Sequence, residues 1–224
     1  MKYNLSQSEE NYLKSIYNLI DKTKSSLINT NLIADDLKTK ASSVSEMIKK
    51  LSEKELIEYK KYKGSQLTEN GNAIAVQVIR KHRLWETFLV EKLNFEWDEV
   101  HEIAEQLEHI KSIKLTNKLS EFLGHPKFDP HGDPIPNEKG IFPKQHFVIN
   151  LKQVKQGQFA EVVNIGSDNK NLLIFLTKNN IGIGTKIKCV DIYDFDDSIK
   201  IELMDKRTLI LSKKVIKNIN VKLN

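Results

Sequence analysis

Residues 41 to 68 read ASSVSEMIKKLSEKELIEYKKYKGSQLT. Ser43 and Glu46 have capping-box spacing, which predicts a helix from there through about Lys54, with Val44, Ile48 and Leu51 on one face. The period then changes. LIEYKKYKGSQLT breaks into two extended pieces around Lys63-Gly64, the pattern of a small β-hairpin. That hairpin is basic, with Lys60, Lys61 and Lys63 near its tip.

Upstream, Ser6 and Glu9 form another capping-box pair. Tyr12, Leu13, Ile16, Tyr17 and Ile20 then recur at helical spacing, which predicts a helix over about 7 to 21. A short helix is expected near 30 to 38, carrying Leu32, Ile33 and Leu37, followed by a turn at 39 to 42. Three short helices and then a basic hairpin is the order of a winged helix-turn-helix, whose recognition helix enters a DNA major groove beside its wing. From Lys38 to Lys63 eight lysines face four glutamates, and phosphate contacts need such cations.

Downstream, a long helix is expected from Thr68 to about Leu93. Its apolar residues (Ile74, Ile79, Leu84, Trp85, Phe88, Leu89) lie nearly all round it, so it should be substantially buried. Helices at about 98 to 110 and 115 to 123 follow. This region is richer in apolar contacts than a small domain needs, which points to a dimer interface. Its charge is reversed: Glu86 to Glu121 holds nine acids against four lysines, and all six histidines lie between His82 and His146.

Those histidines and acids are patterned. His82 and Glu86 are spaced i, i+4, as are His101 and Glu105, with Glu108 and His109 one turn later. In a helix over VHEIAEQLEHI, the four residues from His101 to His109 fall within about 100° of one another. Imidazole and carboxylate are ligands suited to first-row divalent ions. The bland alternative is a solvated surface pair, and Glu102 is read that way. The connector HPKFDPHGD offers His125, Asp129, His131 and Asp133 as well, but its prolines and glycine read first as a turn-laden loop.

From about Val148, short apolar pieces bounded by Gly or Asn (FAEVVNI, TKIKCVDIYD, SIKIELM, RTLILS) predict a small β-barrel of about 75 residues. The fold class expected is mainly α with small β, organised as 1–70, 71–140 and 148–224.

Other features bound the function. The 224 residues carry a net charge of +5 and a pI near 9.0, which permits an anionic partner without proving one. The single cysteine, Cys189, sits in a strand-like apolar run, reads as an inert core thiol, and suits a reducing cytoplasm. No apolar run is long enough to span a bilayer, and MKYNLSQSEENYLK lacks the apolar core of a signal peptide. A cytoplasmic protein without membrane contact is expected. No GxSxG, HExxH, P-loop or GxGxxG is present, so an enzyme is not expected.

SEENYLKSIY, ASSVSEMIKKLSEKELI, LTENG, RKHRLWETFL, VHEIAEQLEHI and DPHGDPIP occur in this order over essentially the whole chain. Together they resemble the diphtheria toxin repressor and manganese transport regulator family of metal-dependent bacterial repressors. FAEVVNIGSDNKNLLIFLTKNNIGIGTKIKCV is similar to the SH3-like module of its longer members.

The resemblance implies up to two ions per subunit. His82, Glu86 and His101 match an ancillary site, with Asp168 and Asn171 as candidate contributions from the SH3-like module. Glu105, Glu108 and His109 match the primary, activating site, completed from the first helix at Asn11. Family members often carry methionine or aspartate there, whereas asparagine offers only a neutral carbonyl oxygen. Glu105 stands where iron-responsive members have cysteine and manganese-responsive ones glutamate. Carboxylate oxygen suits Mn²⁺, so Mn²⁺ is favoured and Fe²⁺ is the alternative.

The resemblance also implies a homodimer on double-stranded operator DNA. Ser42, Ser43 and Ser45 would contact the operator, and Lys49, Lys50, Lys60 and Lys63 its phosphates. For Glu46 the capping role is preferred to a DNA contact. The implied function is repression of metal-uptake genes. From a different class, the alternative is a metal-binding protein whose winged helix contacts a protein.

Overall fold

A computed structural model describes residues 4–60, 63–144 and 147–223. Lys61 and His146 lie outside them. The chain divides into two compact units. One comprises Met1–His82, Leu107–Ile113 and Pro136–Ile141; the other comprises Arg83–Gln106, Lys114–Ile135 and Phe142–Asn224.

The first unit opens with α1 (Gln7–Thr23), where the capping box forms as expected. The Glu9 N–H donates to Ser6 Oγ at 3.2 Å, and the Ser6 N–H donates to the Glu9 carboxylate at 2.9 Å. Next come α2 (Thr30–Asp36), capped by Asn29, and α3 (Ala41–Glu53). Here the expectation is corrected. Lys40, not Ser43, is the N-cap of α3, and no side chain caps it. The helical ladder already runs from the Lys40 carbonyl to the Val44 N–H at 3.1 Å, so Ser43 and Glu46 lie inside the helix and form no capping box.

β1 (Ile57–Lys60) and β2 (Gly64–Leu67) pair antiparallel from Ile57↔Leu67 to Lys60↔Gly64. Two further bonds anchor this hairpin, since Ser65 and Ile28 exchange backbone hydrogen bonds at 2.8 and 2.9 Å. Leu13, Ile16, Ile33, Val44, Ile48 and Leu51 fill the core beneath. Each such burial contributes roughly 1.5–3 kcal/mol.

The long helix is α4 (Glu69–Leu93). Its first turn explains LTENG. Thr68 Oγ1 accepts the Gly71 N–H at 3.1 Å, and a Cβ at Gly71 would sit 2.0 Å from the Leu56 carbonyl oxygen. Only glycine lets the two backbones approach so closely.

The helix expected over 98–110 is shorter, α5 (Val100–Leu107). The Ile110 N–H bonds back to the Leu107 carbonyl at 3.2 Å, a three-residue closure that ends the i→i−4 ladder. Glu108 and His109 therefore stand in a turn. α6 (Ile113–Phe122) follows, close to expectation.

The remaining elements belong to the second unit: β3 (Ile149–Asn150), β4 (Phe159–Ile165), α7 (Lys170–Lys178), β5 (Lys186–Tyr193), β6 (Ser198–Leu203), β7 (Thr208–Leu211), α8 (Lys213–Ile216) and β8 (Ile219–Leu223). All six strands form one antiparallel sheet in the order β3-β8-β4-β5-β6-β7. The apolar run LLIFL forms α7, whose Leu173 and Leu176 are buried against the sheet together with Cys189. Burial pushes the Cys189 thiol up, which fits an inert core residue. Among the described residues, no helix is long and apolar enough to cross a membrane.

Candidate metal centre

Among the described residues, two clusters of carboxylates and imidazoles form, one in each unit. In the first, α1 contributes Glu10 and Lys14, α4 contributes Lys81 and His82, and the turn after α5 contributes Glu108 and His109. Glu10 and Lys14 share a face of α1 because they are four residues apart.

Glu108 is only 1% exposed. Its Oε2 accepts from the Lys14 ammonium at 2.7 Å and is 2.6 Å from His82 Nδ1. Burial alone would raise this carboxyl, but His82 and Lys14 outweigh it and hold it below the usual range. The other oxygen, Oε1, faces His109 Nε2 at 3.8 Å. His109 Nδ1 in turn meets Glu10 Oε2 at 2.6 Å. An imidazole nitrogen and a carboxylate oxygen so placed are chemically suited to share one hard divalent ion.

In the second cluster Glu86, on α4 and 2% exposed, lies between two histidines. Its Oε1 is 3.5 Å from His101 Nδ1, and its Oε2 is 3.6 Å from His131 Nδ1. His101 Nε2 is 3.5 Å from Glu105 Oε1, one helical turn along α5, and His101 Nδ1 is 3.9 Å from Asp168 Oδ2. Glu86, Asp129 and His131 bring ligand atoms within 4.8 Å of one another, all three residues being buried. The donor set again fits a divalent ion.

The connector loop is fixed by its own hydrogen bonds. Asp129 Oδ1 accepts the N–H groups of His131 and Asp133, both at 2.9 Å, so a single carboxylate folds the turn. Gly132 takes φ +84°, and a Cβ there would meet the Val163 carbonyl oxygen at 2.1 Å. His131 Nε2 donates to the Trp97 carbonyl at 2.9 Å and its ring stacks on the Trp97 indole, which leaves Nδ1 turned toward Glu86.

The electrostatics follow from burial among acids. Desolvation would lower His101, but hydrogen bonds donated to the carboxylates of Glu105 and Glu86, together with the charge of Asp168, raise it to about 10. His131 is raised to about 9 against desolvation, chiefly by Glu86 and then Asp129. Asp129 is pushed up to about 8 by burial and by Asp133 and Glu86. These shifts all favour the protonated forms of groups that could otherwise be ligands.

Other expected residues fall as follows. Asn11 is half-buried and lines a cleft of about 500 Å³ with Tyr12, Thr39, Ser43, Glu46 and Lys50. The α1 groups that meet Glu108 and His109 are Lys14 and Glu10 instead. Asn171 is exposed at the start of α7. Ser42, Ser43, Ser45 and Lys49 are exposed on α3, and Lys60 and Lys63 are exposed on the hairpin. Lys50 is drawn to Glu9 at 3.3 Å. Glu10 and Lys14 escaped the sequence reading. The available signal was that Glu10 precedes Leu13 and Tyr17 by three and seven residues, core spacing for an acid.

The chain matches three family models. Residues 4–65 match the N-terminal DNA-binding domain of iron-dependent repressors, 68–137 their metal-binding and dimerisation domain, and 149–223 the FeoA domain. A manganese-dependent transcriptional repressor solved in complex with manganese is similar over 96% of this chain and 100% of its own, at 30% identity and TM-score 0.86. The manganese regulator SloR is 33% identical, with TM-score 0.79, over 96% and 98% of the two chains. The iron-dependent repressor IdeR of Mycobacterium tuberculosis is 34% identical over 142 residues, 62% of this chain and 61% of that protein. The matched stretch thus spans less than two thirds of that relative's own length.

Proposed function

Because the chain belongs to the iron-dependent repressor family, that of the diphtheria toxin repressor and the manganese transport regulator, we propose that it is a metal-activated transcriptional repressor. It acts as a homodimer on the operator DNA of metal-uptake genes, with Mn²⁺ as the favoured activator. The observation that carries this reading is the pairing of an exposed basic helix and hairpin with buried clusters of carboxylate and imidazole donors. No described cluster includes sulfur, since the single cysteine is Cys189 in the β-sheet core. Carboxylate oxygens suit Mn²⁺, and the absence of thiolate from these clusters removes the ligand that would select softer ions.

Glu108 and His109 are ligands of the first centre, and Asn11 and Glu105 are carried to it by the family resemblance. Glu86 and His101 are ligands of the second, with His82 one turn earlier on α4. Asp129 and His131 join Glu86 there, a role the sequence placed behind the loop reading. When bound, the ion supplies positive charge that offsets these acids and fixes the spacing of the elements that carry them. Ser42, Ser43 and Ser45 read the operator, while Lys49, Lys60 and Lys63 contact phosphates that orient the protein. Lys50 does so only in competition with Glu9. Exposed Leu93, Phe95 and Phe122 supply apolar surface for the homodimer.

A second reading, Fe²⁺ as the activator, is favoured by the similarity to IdeR. Titration of operator binding with Mn²⁺, Fe²⁺ and Zn²⁺ under anaerobic conditions separates the two. Activation by Mn²⁺ at the lowest free concentration is the expected result. Glu105→Ala should abolish metal-dependent binding while the protein stays folded. Unchanged metal dependence in that variant would remove Glu105 from the site, and DNA binding no tighter than nonspecific at saturating metal would remove the repressor reading.

A further inference from the structure

An imidazole has two distinct nitrogens, and the partner of one decides what the other can do. His109 Nδ1 lies 2.6 Å from Glu10 Oε2, and both side chains are nearly shut off from solvent. With Nδ1–H donating to that carboxylate, Nε2 keeps its lone pair and the ring direction is fixed. Nε2 then points at Glu108 Oε1, 3.8 Å away. Two donors each ~2.2 Å from a shared cation stand roughly 3–4 Å apart, a range that includes this separation.

Glu10 itself lies on the opposite edge of the ring from Nε2, so it is not placed to share the ion that Nε2 faces. Its buried charge is offset by the Lys81 ammonium, 4.0 Å from the same oxygen. Through Glu10, α1 touches His109.

We propose that Glu10 is a positioning residue for the first centre. Its carboxylate selects the Nδ1–H tautomer of His109 and aims Nε2 into the space beside Glu108. The end of α1 is thereby tied to a ligand. This rests on the reading of His109 and Glu108 as ligands.

The test uses the full chain with ¹⁵N-labelled histidine. Long-range ¹H–¹⁵N correlations of the metal-free protein at mildly alkaline pH report the tautomer of His109. Nδ1–H is expected in the wild type and in Glu10→Gln, whose amide oxygen can still accept. It should be lost or mixed in Glu10→Ala. Mn²⁺ titration should show a Kd weakened roughly 10–100-fold in Glu10→Ala and largely restored in Glu10→Gln. An Nε2–H tautomer in the wild type, or a Kd unmoved by Glu10→Ala, overturns the proposal. Should Glu10→Ala fail to fold, the wild-type tautomer and the Glu10→Gln Kd still decide it. Failure of the ligand reading looks different: Mn²⁺ would not broaden the His109 signals, and His109→Ala would bind Mn²⁺ as the wild type does.

Discussion

His82 Nδ1 and Glu108 Oε2 meet at 2.6 Å across 26 residues of sequence. Spacing pairs His82 with Glu86 and the family resemblance adds His101; this nitrogen is also directed to a residue of the other centre. Lys14 completes the arrangement, its ammonium 2.7 Å from the same oxygen and 3.2 Å from His82 Nδ1.

Lys14 is therefore a fixed cation beside a ligand. Lys14→Met should raise Mn²⁺ affinity roughly tenfold, because the ion no longer competes with an ammonium for Glu108. Calorimetric titration checks this. Weaker binding in the variant would instead make Lys14 a support that holds Glu108 in place.

The second centre should be strongly pH-dependent. A metal takes the neutral imidazole, whereas His131 and His101 keep their protons up to about 9 and about 10. Binding at pH 7 should release protons, and apparent affinity should rise as pH climbs toward those values. Calorimetry in buffers of different ionisation heat measures the release. Zero protons released would contradict the pairing of these histidines with Glu86. Metal-free stability should move the opposite way. A folded-state pKa above the ordinary 6.5 stabilises below that value, and the gain is lost as pH rises through about 10 for His101. The metal-free melting temperature should fall over that window, and less so in Glu105→Gln.

Glu9 ties α1 to α3, with its Oε1 2.6 Å from Lys54 and 3.3 Å from Lys50. Burial would raise its carboxyl, but Lys54, the Ser6 N–H and Lys50 bring it down to about 2. A depressed folded-state pKa stabilises above the ordinary 4.5, and that stabilisation disappears as pH falls toward 2. Glu9→Gln should cost about 2 kcal/mol at neutral pH and flatten the acid limb of the stability curve, as read by denaturant melts. An unchanged acid limb would assign that stability elsewhere.

Local signals proved readable where the governing contact is local. Ser6 and Glu9 cap α1 as their spacing indicates, and Lys63-Gly64 marks the hairpin. The same S-x-x-E pattern misled at Ser43, because α3 begins two residues earlier without a side-chain cap. The end of α5 was equally hidden, since nothing in LEHI marks Leu107 as a last residue. Glu108 and His109 are held after it by partners on α1 and α4, and such partners leave no trace in spacing. The connector histidine and aspartate looked like loop residues because they are: Asp129 shapes the turn with one oxygen while standing beside Glu86 and His131.

The most direct measurement is the affinity of the full chain for a duplex from upstream of a manganese- or iron-uptake gene, at fixed ionic strength, with and without Mn²⁺. Metal should tighten binding of the wild type by ~100-fold, about 2.7 kcal/mol of coupling, and leave His109→Ala near the metal-free value. Equal affinity with and without metal, or an undiminished response in His109→Ala, would contradict metal-activated repression through this centre.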